Sequence, residues 1–165
     1  MIELGLATLL FFTPASLDCC ALSVEQSVVW AEAPLPPPPP PVPTLEEKIL
    51  AGDTSTTTIR AYIEEQAEVM GVDPKLAVAI AKCESGWDYL AENPRSSADS
   101  TFQFIDGTWR RTMERMGYPT WMNKFDPILG VQAGVWLLAE DGVGHWLESR
   151  PCWSRLIHLD LRATR

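Results

Sequence analysis

Asp73-Pro74-Lys75-Leu76-Ala77-Val78-Ala79-Ile80-Ala81-Lys82-Cys83-Glu84 is the stretch on which the reading of this chain turns. Asp73 supplies an N-cap and Pro74 suits the first helical position, so the segment predicts a helix. At about 100° per residue, Ala77, Ile80 and Ala81 lie within roughly 60° of Glu84, while Lys75 and Lys82 project from the opposite side. Glu84 therefore ends an apolar stripe, at a helix C-terminus whose dipole also disfavours negative charge. Both effects raise a carboxyl pKa and hold it protonated. A protonated carboxyl poised at a surface is suited to general-acid chemistry. The plain structural alternative is a side chain that swings past the helix end into water.

The helical pattern extends outward from this segment. Leu45–Leu50 reads as a short helix or arm, followed by a Thr-rich break, and Ile59, Ile63, Ala67 and Met70 recur at helical spacing before Gly71. Asp106 is placed to cap a helix over 107–116, which Gly117 and Pro119 end. Asp126-Pro127 opens another apolar helix running to Ala139, and residues 146–153 close the chain as a short helical turn or loop. Only Thr101–Ile105 could form a strand. Four to six helices around one core, a mostly α domain, is the expected fold. Between Glu84 and Ile105 lies a stretch with Gly86, Pro94 and several Ser but no helical period. A long irregular segment inside a compact domain is tolerated mainly where it forms a site.

The N-terminal third has a different character. Residues 1–33 hold a short apolar run resembling a signal-peptide core, although Glu3 is its only charge before Asp18 and no basic residue precedes it. Residues 34–43 contain eight prolines, a polyproline II spacer of roughly 30 Å. The expected organisation is a leader (1–33), a proline-rich linker (34–43) and one domain (44–165). The leader points to a secreted or cell-envelope protein.

The chain carries a net charge of −9, of which −5 falls on residues 44–165, because residues 1–43 hold four acidic side chains and no Lys or Arg. An acidic domain without a basic run excludes nucleic acid and anionic lipid as natural partners and suits a neutral or sugar-like ligand. Six of the seven Trp lie in the domain, and Trp offers a flat face on which sugar rings stack, though most such residues simply pack cores. There is no CxxC, and His145 and His158 have no ligand-like spacing to cysteine, so no metal is expected. Cys83 and Cys152 are either a disulfide, if the protein is exported, or two buried thiols in a reducing compartment. The bond would close a loop worth roughly 4 kcal/mol in the chain-entropy view.

Cys83-Glu84-Ser85-Gly86-Trp87, Asn93-Pro94-Arg95-Ser96-Ser97-Ala98, Phe102-Gln103-Phe104 and Thr108-Trp109 occur in an order that resembles the soluble lytic transglycosylases, in their small, resuscitation-promoting-factor-like form. Asp126-Pro127, Gln132-Ala133-Gly134, Leu137-Leu138, Gly142, His145-Trp146 and Cys152-Trp153 continue the same order, so the resemblance spans about Ser55–Trp153. It implies a lysozyme-like helical fold that cleaves the β-1,4 bond between N-acetylmuramic acid and N-acetylglucosamine in peptidoglycan glycan strands. It implies Glu84 as the catalytic acid and then base, Ser85 beside it, and Gln103 as a glycan contact. No cofactor follows, and a monomer is expected. Trp87 would dry the acid or stack on sugar. Phe104 borders Gln103, although strand-like alternation would turn Phe102 and Phe104 away from it. Where the family usually has Gly, this chain has Ser100, which would cost about 1 kcal/mol if the position needs positive φ. The third-motif tyrosine of larger relatives has no match near Val131–Val135. Two other readings use the same residues: a muramidase in which Asp88 or Asp99 activates water opposite Glu84, and a glycan-binding or signalling module without turnover.

Overall fold

A computed structural model describes residues 41–163, with the side chains of the last helix described as far as His158. The leader and Pro34–Pro40 of the linker lie outside the described residues. Six α-helices follow: α1 (Leu45–Leu50), α2 (Thr56–Met70), α3 (Pro74–Ser85), α4 (Asp106–Arg115), α5 (Pro127–Asp141) and α6 (Arg150–Ala163), with a 3₁₀ turn, Gly142–Trp146, before α6.

The helix ends obey local chemistry. Thr44 and Glu47 form a reciprocal capping box at α1. The Asp73 and Asp126 carboxylates accept from backbone N–H groups one turn into α3 and α5, each followed by Pro. Gly71 (φ 71°) and Gly86 (φ 67°) end α2 and α3 in the left-handed conformation that L side chains avoid.

Apolar stripes then fix the packing. Ile59, Tyr62, Ile63 and Ala67 of α2 are fully buried against α3 and α5. α5 is apolar nearly all round, with Val131, Val135 and Leu137 at or near zero exposure, which makes it the central helix. The Gln132 amide donates to the Tyr62 hydroxyl at 2.9 Å, so the one large buried phenol is satisfied. Burial pushes the Tyr62 pKa up to about 12, and that hydrogen bond opposes the rise only in part.

Three local expectations are corrected. Asp106 is the first residue of α4, not its cap. Ile105 occupies the cap with no side-chain bond, because the Asp106 carboxylate is engaged by Lys124 at 2.6 Å. Residues 101–105 form turns with isolated bridges (Glu92 to Asp99, Asp99 to Phe104) in place of a strand. The chain closes with a full helix, α6, packed on α3, where a short turn or loop was expected. Trp153, Leu156 and Ile157 give α6 its inner face.

Candidate functional site

Glu84 stands in the last turn of α3, and the irregular segment 86–105 folds back over it. That segment is held by its own backbone. Asn93 donates to the Ala98 carbonyl at 2.9 Å, Ser100 to Ala91 at 2.8 Å, and Phe104 and Asp99 exchange both bonds. Lys124 then gathers it from outside. Its ammonium lies 2.7 Å from Asp99 and 2.6 Å from Asp106, and donates to the carbonyls of Ser97 and Phe104 at 2.7 and 3.4 Å. Burial alone would lower the Lys124 pKa, but hydrogen bonds to Asp106 and Asp99 outweigh it, so the group stays charged.

The result is a cleft of about 400 Å³ that has Glu84, Gln103, Phe104, His145, Trp146 and Glu148 among its lining residues. Burial raises the Glu84 pKa above the usual carboxylate range. The Ser149 hydroxyl works against the rise, and the negative charge of Glu148 adds to it. Glu148 thus adds a second upward push beside burial.

Gln103 reaches the cleft by an unusual route. Its backbone has φ 52°, so the period-2 alternation that would separate it from its neighbours does not apply. Phe102, Gln103 and Phe104 all line the cleft, and both Phe side chains are buried. The two amide hydrogens of Gln103 are directed to the carbonyls of Ala91 (3.2 Å) and Ser100 (3.1 Å), which leaves its oxygen as the group to meet a ligand. Phe104 packs edge-on against Trp109, with ring centroids 5.3 Å apart.

Other expected residues go elsewhere. The Ser85 hydroxyl lies 2.8 Å from the Thr101 carbonyl and 3.3 Å from that of Ala81. It works as a strut from α3 to the site segment and is not among the cleft's lining residues. Trp87 also lies apart from the cleft's lining residues. Its backbone takes φ 68°, its indole donates to the Val78 carbonyl at 3.0 Å, and its ring lies beneath Lys82 and Arg60. It borders a separate depression on the Lys75 and Lys82 side of α3 and is not among the lining residues of the Glu84 cleft. Asp99 is committed to Lys124 and the Asp88 carboxylate accepts from the Leu90 N–H at 2.9 Å; neither lines the cleft.

Ser100 does occupy a left-handed position (φ 67°), at 1 % exposure, and its hydroxyl has no partner. Cys83 and Cys152 are joined as a disulfide across 69 residues. The bond fastens the start of α6 to the helix turn that carries Glu84, which brings Glu148 and Ser149 into range.

His145 and Glu148 were missed as site residues. The signal available was that same cysteine pair, since a bond from Cys83 to Cys152 draws residues 145–149 toward Glu84. His145 is oriented by Asp141, 3.2 Å from its Nε2, and Arg115 grips the Asp141 carboxylate at 2.8 and 2.9 Å. The Arg115 and His145 contacts lower the Asp141 pKa to about 2. The Trp146 indole donates to the Phe102 carbonyl at 3.0 Å and closes the cleft floor.

Among the described residues, no group of three or more His, Cys, Asp or Glu side chains is placed to hold a metal ion, and no helix is long and apolar enough to cross a membrane. A half-buried acid, an acceptor oxygen and an aromatic floor form a cleft able to deliver a proton to a bound polyhydroxylated ligand. The family model described as the transglycosylase SLT domain matches residues 61–143, which include Glu84, the irregular segment and Gln103.

Proposed function

This chain belongs to the transglycosylase SLT domain family, and from that premise we propose that it is a lytic transglycosylase cutting the MurNAc-β-1,4-GlcNAc bond of peptidoglycan to leave a 1,6-anhydromuramic end. The observation that carries the reading is Glu84: a half-buried carboxyl whose pKa burial raises, in one cleft with the Gln103 oxygen. Glu84 gives its proton to the glycosidic oxygen as the C1–O bond breaks. The sugar's own acetamido oxygen meets the positive charge developing at C1, so no protein nucleophile is needed. The muramic C6 oxygen then bonds to C1, and its proton returns to Glu84. Water is neither consumed nor required.

Gln103 accepts a hydrogen bond from a sugar hydroxyl or amide N–H, and Phe104 supports that contact from below. Ser85 acts through position, holding Glu84's helix to the site segment. The disulfide supports action outside the cytoplasm, where the substrate lies and such bonds persist.

A hydrolytic reading has one observation in its favour. Glu148 is a second carboxylate in the cleft, where Asp88 and Asp99 are not, and it could activate a water. Mass spectrometry of digested cell-wall glycan decides between them. Anhydromuramic ends that fall by a factor of about 10²–10⁴ in Glu84→Gln are expected. Reducing ends only would reject the lyase step, and binding without any turnover would leave a glycan-binding module.

A further inference from the structure

Beyond the Glu84 cleft, the first turn of α4 walls a second depression. Ile105 and Thr108 line the cleft, while Asp106, Trp109 and Arg110, the next positions around the helix, line an open depression of about 400 Å³ together with Trp121, Asn123 and Phe125. The two spaces are thus separated by one helix, on the order of 10 Å. Trp121 is 80 % exposed, and its indole makes no hydrogen bond, ion pair or ring contact among the described residues. Leaving so large an apolar surface in water forgoes burial energy of roughly 2 kcal/mol.

The turn that carries Trp121 is nevertheless firmly held. The Met122 N–H donates to the Pro119 carbonyl at 3.1 Å, and the buried Trp109 indole donates to the Met122 carbonyl at 2.8 Å. The neighbouring Lys124 is the same residue that gathers the Glu84 segment, so the Trp121 turn and the cleft wall share one anchor. The polar groups beside the ring are of a kind that meets hydroxyls and acetamido groups. Asn123 spends its oxygen on the Phe125 N–H (3.0 Å) and keeps its amide hydrogens, and Arg110 spends Nε on the Asp106 carbonyl (3.3 Å).

We infer that Trp121, with Asn123 and Arg110, forms an outlying subsite that stacks a hexosamine ring of the same glycan strand whose scissile bond lies at Glu84. This rests on the glycan-cleaving reading and deepens it, assigning a preference for long strands. A flat, amphipathic ring carried on a held turn, with adjacent donors, matches a pyranose face and its edge groups. The two sugars that flank the scissile bond are used up at Glu84, so only a strand with further sugars places a ring across the helix at Trp121.

The test uses the full disulfide-bonded chain and peptide-free glycan strands fractionated by length. Trp121→Ala should raise KM for long strands roughly tenfold, leave kcat unchanged, and not alter KM for the shortest strands cleaved. Trp121→Phe should recover part of the loss. The binding arm uses Glu84→Gln protein, in which the Trp121→Ala change should weaken retention of long strands by a similar factor. An unchanged length dependence, or a loss confined to kcat, overturns the subsite. If the wild type cleaves no strand, the function reading fails, and retention by the Glu84→Gln protein still decides whether Trp121 binds glycan.

Discussion

Replacing Ser100 by Gly should make this protein more stable, although it removes a buried side chain. Ser100 holds φ 67° at 1 % exposure, with a hydroxyl that finds no partner. The left-handed conformation costs an L residue about 1–2 kcal/mol. A buried hydroxyl without a hydrogen bond costs about 1–3 kcal/mol. Against these, Gly gives the unfolded chain extra freedom worth about 0.4–1 kcal/mol, and a small volume beside Gly130 is vacated. The balance favours Ser100→Gly by about 2 kcal/mol. Ser100→Ala separates the two sources, since it removes the hydroxyl and keeps the strained backbone; it should gain about 1 kcal/mol. The backbone bonds survive in both variants, with the Ser100 carbonyl still accepting from Gln103. Urea unfolding of the oxidised protein, followed by Trp fluorescence, gives both differences from the midpoints at constant slope. A Gly variant no more stable than the Ala variant would refute the strain argument. Two destabilised variants would show that the hydroxyl is satisfied in solution.

Glu84 binds its proton more tightly folded than unfolded, so its contribution to stability should fall as pH rises from the ordinary carboxylate range through its raised pKa, and Glu84→Gln should flatten that slope in pH-resolved urea melts. Glu148→Gln removes the neighbouring charge, so the alkaline limb of the turnover–pH profile should move to lower pH; an unmoved limb would mean Glu148 is too screened to matter. Gly134→Ala places a methyl against the Phe102 ring, whose backbone the Trp146 indole holds. It should cost about 1–3 kcal/mol in chemical denaturation and lower turnover by tilting Phe102 into the cleft. Reducing the Cys83–Cys152 bond, which closes 69 residues, should cost about 4 kcal/mol, read as a lower urea midpoint in dithiothreitol.

Much of the architecture was legible because it rests on short-range chemistry. Asp73-Pro74, Asp126-Pro127, Gly71 and Gly86 bound α2, α3 and α5 by effects one turn long, and Ile59, Ile63 and Ala67 declare the inner face of α2 by spacing alone. The irregular segment was legible as an exception to that pattern, and Ser100's strain as a departure from the family's glycine. What escaped was set by distant partners. Asp106 has the chemistry of an N-cap, but Lys124, 18 residues away, takes its carboxylate. Trp87 follows Glu84 closely in sequence, yet successive left-handed residues, Gly86 and Trp87, turn its ring to the opposite side of α3. Gln103's positive φ cancels the alternation that would have turned both Phe side chains away from the face Gln103 presents. His145 and Glu148 join the cleft only through the folding-back of α6, whose own period was too brief a signal beside a Trp and a Pro.

The ammonium of Lys124 has a consequence for how the cleft comes apart. Four attachments of the 97–106 segment converge on one atom at the end of a flexible stem. Such a hub behaves as a latch: its release frees all four tethers together, so the wall of the cleft should open as one cooperative unit. In hydrogen exchange, the Ser100 and Phe104 amides would then exchange at a common rate set by that single opening.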